Sequence, residues 1–318
     1  MRGQLPKVIL RRIGASVGVL WVVSVLLFTA TYVLPGDPAT RILGNRATPE
    51  TVTALREEMG LNRPYPEQYF SWLTGFVTGD AGTTVAGNDV WPILRERGSN
   101  SLILAAVASL LVIAIAMALG VSSGMRAGRR TDHALTVGAL MGVSVPDFVL
   151  AGVLIAVFGL ALEWLPPVSL VTAGMMPLDR PEILLLPSVS LAVPAGAWAS
   201  RYVRAAVVNA RTAPNVEAAR LAGLSPARVF VRHLLPGVLG SISQVIAAAT
   251  VFLVGGAVVA EQVFSYPGLG SLLASAVKVK DVSIVLATGL LMAAVVIAAF
   301  TFADLIGLLV NPRLRRTP

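Results

Sequence analysis

Few side chains in this 318-residue sequence have the types and spacing for chemistry, and what they lack is as informative as what they offer. Cysteine is absent, which removes disulfides, thiolate metal sites and thiol nucleophiles together and leaves the redox compartment unreadable. The two histidines, His133 and His233, are too few to build a metal cage by themselves. Asp132 beside His133 could be drawn as a general-base pair, but no convergent nucleophile accompanies it, and a surface loop is the simpler reading. His233 reads as a packed residue near the membrane face. The nearest thing to a phosphate loop is Gly124-Met125-Arg126-Ala127-Gly128-Arg129-Arg130-Thr131. It has one residue too few between its glycines, and arginine stands where the phosphate-binding lysine is required. These observations exclude an ATPase and argue against any enzyme activity.

Carboxylates inside apolar stretches are a different matter, because an ionisable group in hydrocarbon is costly unless it faces a bundle interior or water. Asp147, in Ser144-Val145-Pro146-Asp147-Phe148, and Asp304 are two such groups, and with Gln244 they are the candidate pathway or intramembrane polar residues. Pro146 removes a backbone donor and is expected to kink its helix. A proton relay between the two acids would make the chain a secondary transporter. Hydrogen bonding between helices for Asp304, and a pathway-facing or outer-interface position for Asp147, ask less of them.

The elements that hold these residues follow from composition. Apolar residues make up 55 %, charged residues 13 %, and the mean hydropathy is +0.77, too apolar for a soluble domain. A hydrocarbon core about 30 Å thick needs roughly 20 apolar residues in a helix. Six stretches qualify, at 13–34, 102–121, 135–162, 183–200, 238–260 and 282–310, so the expected fold is all-α and polytopic, with both termini on one side. The first stretch is longer than the apolar region of a signal peptide and lacks a small-residue cleavage site, so it is expected to stay as an anchor. With the termini inside, the inner segments carry 16 basic residues against two acidic ones, and the outer segments 9 against 13. The positive-inside rule therefore orients the chain. The excess of basic residues reads as orientation, not as a nucleic-acid surface.

Residues 35–99 form the one sizeable segment outside the membrane. Thr48 before Pro49 is a cap followed by a first-turn proline, and Gly60 is placed to end the helix. A second helix from Pro66 sets Tyr69, Trp72, Leu73 and Phe76 on one face, as an amphipathic cap on the outer membrane surface, a docking element for a binding protein or part of an outer vestibule. In the fifth span, Gly255-Gly256 and Ala247, Ala248 and Ala249 allow close approach, either between subunits or along a pore.

Between the fourth and fifth spans the chain reads Asn215-Val216-Glu217-Ala218-Ala219-Arg220-Leu221-Ala222-Gly223-Leu224-Ser225-Pro226-Ala227-Arg228 and continues to Leu235-Pro236. Physically this is helix, turn, helix. Asn215 is the expected cap, Glu217 complements the helix dipole, Gly223 suits a left-handed end and Ser225-Pro226 restarts a helix. The first helix is too short to stand alone, which implies a partner surface.

This stretch resembles the Glu-Ala-Ala loop of ABC importer permeases. Glu217, Ala218, Ala219, Gly223, Leu235 and Pro236 fall at matching places, and His233 replaces a usually aliphatic residue. What the resemblance implies is that residues 216–223 are the coupling helix, with Glu217, Ala218, Ala219, Arg220 and Gly223 seated in a groove of a separate ATPase subunit. The small Ala218 and Ala219 would permit close approach. Leu34-Pro35-Gly36-Asp37-Pro38, Gly60-Leu61-Asn62-Arg63-Pro64 with Gln68-Tyr69, Tyr266-Pro267-Gly268-Leu269-Gly270 and Asn311-Pro312-Arg313 are similar to the B-type permease of oligopeptide, dipeptide and nickel importers. The resemblance further implies a type I importer fold in a bacterial plasma membrane and a heterodimer with a C-type permease. It also implies two ATPases that bind ATP and Mg, an extracytoplasmic solute-binding protein, and no cofactor in this chain. The expected organisation is residues 1–34 as N-terminus and first span, 35–99 as the outer segment, and 100–318 as the core with its coupling loop at 209–236. Peptide, nickel, glutathione and haem all remain open as solutes.

Overall fold

The computed structural model describes residues 5–33, 38–44, 47–172 and 174–310. Leu34–Asp37, Asn311–Arg313, Arg2, Arg315 and Arg316 lie outside the described residues, as does the side chain of Lys7. Every regular element described is helical, and among the described residues the strand-like pairing is a single bridge between Thr83 and Asp89. The first described helix is α1 (Leu5–Val33), followed by α2 (Pro38–Leu43), α3 (Pro49–Glu58) and α4 (Tyr65–Thr78). Next come α5 (Val90–Met125), α6 (Arg130–Ser144), α7 (Asp147–Leu154) and the central α8 (Glu182–Arg211). The short α9 (Pro214–Leu221) and α10 (Pro226–Val229) precede α11 (Leu235–Val263), α12 (Leu269–Val279) and α13 (Val282–Val310).

Among the described residues, five helical runs are long and apolar enough to cross a membrane, and a sixth is reached if one bent pair is taken as a single span. That pair corrects the expectation of a merely kinked third span, because α6 and α7 meet at 96°. Val145 is extended, as a residue before proline tends to be, and Pro146 stands as the cap of α7. The helix therefore stops and restarts instead of bending. Beyond α7 the chain continues as a π-helical turn over Ile155–Ala161.

The helix α5 has 36 residues, or about 54 Å at 1.5 Å per residue, and outreaches the bilayer core. Residues 90–99, assigned from sequence to the outer segment, are thus its projecting first turns. Val90 and Leu94 there are buried with Leu269 and Ala276 of α12 and Ile284 and Ala287 of α13. The centre of the bundle is α8, which packs on α5 so closely that glycine is required at the crossing. A Cβ on Gly120 would lie 2.6 Å from the Ser200 carbonyl oxygen, and one on Gly196 would lie 2.8 Å from Ile115 Cβ. Pro187 and Pro194 are accommodated inside α8, where Ser190 Oγ donates to the Pro187 carbonyl at 2.8 Å.

The outer segment folds as its local signals require. Thr48 and Thr51 form a reciprocal capping box, and Gly60 takes φ +66° with Leu61 N–H donating to Arg56 O at 2.9 Å. The α4 face is not a surface cap on lipid. Tyr69 and Trp72 pack with Phe28 of α1 and Leu286 of α13, and the Tyr69 and Ser24 hydroxyls share a 2.7 Å hydrogen bond, so protein covers the apolar stripe.

Candidate coupling surface and intramembrane polar sites

The loop that ends α8 is built by local rules. Pro214 occupies the first turn of α9, where its missing N–H costs nothing, and this moves the cap back to the extended Ala213. Asn215, the expected cap, instead donates from Nδ2 to the His233 carbonyl at 3.3 Å and ties α9 to the base of the fifth span. At the other end Gly223 takes φ +74°. Leu224 N–H donates to Ala219 O at 3.2 Å and Gly223 N–H to Arg220 O at 3.0 Å, a Schellman turn that reverses the chain. Ser225-Pro226 restarts the helix as expected. The restarted helix passes through a π-helical turn over Phe230–Leu234, which includes half-buried His233 and precedes Pro236, and then runs on as α11.

One expected contact is reversed. Ala219 does not face a partner, since it is 5 % exposed and packs with Val216, Val203, Val207 and Leu234 in the inner core. In a helix of eight residues only one stripe can be buried, and Val216 and Ala219, three apart, form it. The outward face is Glu217, Ala218, Arg220 and Leu221, the last 84 % exposed. An apolar side chain this exposed at the end of a short helix is the signal that sequence reading passed over. Leu235 is half-buried and Pro236 exposed at the foot of α11.

Asp304 is held by two helices. Gln244 Nε2 of α11 donates to its Oδ1 at 2.7 Å, and Arg12 of α1 forms an ion pair with it. Asp304 and Gln244 are therefore brought together, and among the described residues no hydrogen bond or ion pair joins Asp147 to either. Asp147 opens α7 and presses on α11, where a Cβ on Gly256 would lie 2.9 Å from its Oδ2 and 2.9 Å from Leu191 Cδ2. Gly256 thus serves contact within the chain, whereas Gly255 has open space around it. Asp132 accepts a bidentate pair from Arg204 of α8, 2.7 Å on each oxygen, and closes the Gly128 turn by accepting its N–H at 2.9 Å. That geometry makes Asp132 a structural anchor, and His133 beside it is exposed. No group of three or more His, Cys, Asp or Glu among the described residues has the arrangement to hold a metal.

A further buried acid was counted from sequence only as an outer-loop charge. Glu261 is fully buried at the outer end of α11, accepting from Ser101 Oγ at 2.6 Å and from Ser271 N–H at 2.9 Å, and so caps α12. Its carboxylate fills the space a side chain on Gly268 would need, which explains glycine in Tyr266-Pro267-Gly268-Leu269-Gly270. The same turn is fixed to α5 by Tyr266 OH donating to Asn100 O at 2.7 Å and Asn100 Nδ2 donating to Pro267 O at 2.9 Å. Burial, with Glu261 nearby, pushes the Tyr266 phenol well above its ordinary range, so it remains the donor. The available signal was position, one residue beyond an apolar run and just ahead of a glycine-rich turn.

The described residues form a bundle of apolar helices long enough to cross a membrane, with the short α9 presented at one end. Residues 112–316 match the family described as binding-protein-dependent transport system inner membrane component, residues 5–118 match the N-terminal part of such components, and the chain belongs to this family. Its members are permease subunits, not enzymes. The chain is 31 % identical over 310 residues to a probable peptide ABC transporter permease protein of Sinorhizobium fredii, covering 96 % of this chain and 98 % of that one. It is 29 % identical to the oligopeptide transport system permease protein AppB of Bacillus subtilis, with the same coverage of each. It is 30 % identical to the glutathione transport system permease protein GsiC of Escherichia coli, over 96 % of this chain and 98 % of the relative.

Proposed function

We propose that this chain is the B-type permease of an ATP-driven peptide importer in a bacterial plasma membrane, with both termini cytoplasmic. It pairs with a C-type permease, receives solute from an extracytoplasmic binding protein and is driven by two ATPase subunits that bind ATP and Mg. The observation that carries the reading is the rigid α9, whose inner stripe is buried in the bundle and whose outer face is offered to a partner. Peptide as solute is supported by the names of the Sinorhizobium and Bacillus relatives, with glutathione, itself a peptide, named for another.

The test is at Leu221. A charge forced into an interface core without a partner removes about 2 kcal/mol or more, an effect above ten-fold. Leu221→Asp is expected to cut peptide-stimulated ATP hydrolysis and uptake of the reconstituted complex at least ten-fold, whereas Glu217→Ala, losing one charge-assisted contact, gives a two- to three-fold loss. Wild-type rates in Leu221→Asp would remove α9 as the coupling element.

Topology is tested separately. Ala86 and Ser225 are both exposed, on opposite faces in the proposed orientation. With cysteine at each position, an impermeant thiol reagent added to intact cells is expected to label Ala86→Cys and spare Ser225→Cys; labelling of both from outside would overturn the orientation.

A further inference from the structure

Of the intramembrane acids in this chain, Asp304 has an ion pair and a hydrogen bond. Asp147 has neither: no hydrogen bond or ion pair reaches it from the described residues. Its carboxylate sits at a break in a membrane span, partly open and resting on the bare backbone of Gly256. Only the N-terminus of α7 favours its charge, and an acid within a span that lacks a partner side chain is costly unless a cation or water meets it.

Its immediate neighbours are Gly256 and Leu191, and aromatic rings follow one to three turns along the same two helices. Leu191, which with Asp147 crowds Gly256, begins a stripe along α8 that reaches Trp198 and then Tyr202, two and three turns on. On α11, Phe252 stands one turn from Gly256, about 6 Å along the axis. The rings meet, with Trp198 and Phe252 at 5.1 Å between centroids and Trp198 and Tyr202 at 4.7 Å. Phe252 and Tyr202 are each 50 % exposed. A free carboxylate followed by partly open aromatic faces is the chemistry that receives an organic ammonium group, by charge at one end and by the ring quadrupoles at the other.

We infer that Asp147, with Phe252, Trp198 and Tyr202, forms a cation-receiving stretch of the solute path that takes the protonated α-amino group of a peptide. The inference rests on the permease reading above and adds to it a site and the charge it selects. Glycine at 256 leaves room for the acid: a Cβ there would lie 2.9 Å from the Asp147 carboxylate. The occupant is the solute and not a basic residue of a second permease, because the aromatic run continues along the helices beyond the acid, as successive sites for a moving cation require.

The experiment uses the complete reconstituted complex, with its binding protein saturated beforehand by tri-alanine or by N-acetyl-tri-alanine, which lacks the ammonium group. The ratio of the two uptake rates is the readout. Asp147→Asn is expected to lower that ratio about ten-fold, Asp147→Glu to restore most of it, and Phe252→Leu to lower it about three-fold. An unchanged ratio in Asp147→Asn overturns the inference, since the acid then does not discriminate the amino group. Loss of co-purification with the second permease in Asp147→Asn also overturns it, because the acid would then pair with protein. Absence of any peptide uptake by the wild-type complex would instead bring down the permease reading for peptides, and the inference with it.

Discussion

Gly223→Val abolishes solute uptake, to below about one tenth of wild type, in a chain that still inserts and still assembles with its partners. Gly223 has φ +74° and open space where a Cβ would be, so the cost is conformational and not steric crowding by neighbours. A β-branched residue in the left-handed region costs on the order of 1–2 kcal/mol or more. Relief comes from undoing the Schellman turn, which rests on the two hydrogen bonds to Ala219 O and Arg220 O. The long apolar helices do not depend on that turn, but the direction of α9 does, and on the coupling function proposed for it a helix of eight residues that points elsewhere transmits nothing. Uptake and ATP hydrolysis in vesicles, measured beside the amount of assembled complex, check this. Normal uptake at normal assembly would show that α9 is not held by its glycine. Ala219→Trp is a poorer test, because Ala219 is buried in the inner core and a bulky ring there disturbs the bundle as well as the lever.

Gly120→Leu acts on the fold itself and is expected to reduce folded, extractable protein at least ten-fold. At Gly120 even a methyl group would stand 2.6 Å from the Ser200 carbonyl and 2.6 Å from Val203 Cβ, atoms of a helix backbone and a branched side chain that have nowhere to retreat. Gly124 repeats the arrangement one turn later against Val207, at 2.8 Å, so the two helices cannot shift along one another to relieve the clash. Overpacking of a core typically costs 1–3 kcal/mol, and here the whole α5–α8 contact must separate. The comparison is Gly138→Ala in α6, where no atom lies within 4 Å of the added carbon and little change is expected. Membrane yield and thermal unfolding of the detergent-extracted chain decide it; a Gly120→Leu variant that accumulates and melts like wild type would refute the close packing.

Much of the architecture was legible in the residues because it is written in short-range terms. Runs of apolar residues mark the spans, since each must shed its own backbone polarity within the membrane. Thr48 and Gly60 mark the ends of α3, and Gly223 and Ser225-Pro226 mark the reversal after α9, because capping is decided by neighbours within a few positions. The limits of that reasoning show at Pro146 and Asn215. Pro146 announced a disturbance, but whether a helix bends or breaks to 96° depends on what it packs against. Asn215 is a good cap by type, and Pro214 together with a carbonyl on another helix gave it a different task.

Sequence alone determined the class of the molecule, its all-helical membrane architecture, the sidedness expected from its charges and the position of the short helix α9. Tertiary structure alone decided which face of that lever is hidden, so that Ala219 turned inward and Leu221 outward. It also decided which acids are satisfied. Glu261 finds Ser101 and Asp304 finds Arg12 and Gln244, partners far away in the chain, while Asp147 is left with Gly256 and an open side. The physical reason is one of range: helix formation and capping are settled within a turn or two, whereas the compensation of a buried charge depends on which distant segments the bundle brings within about 3 Å.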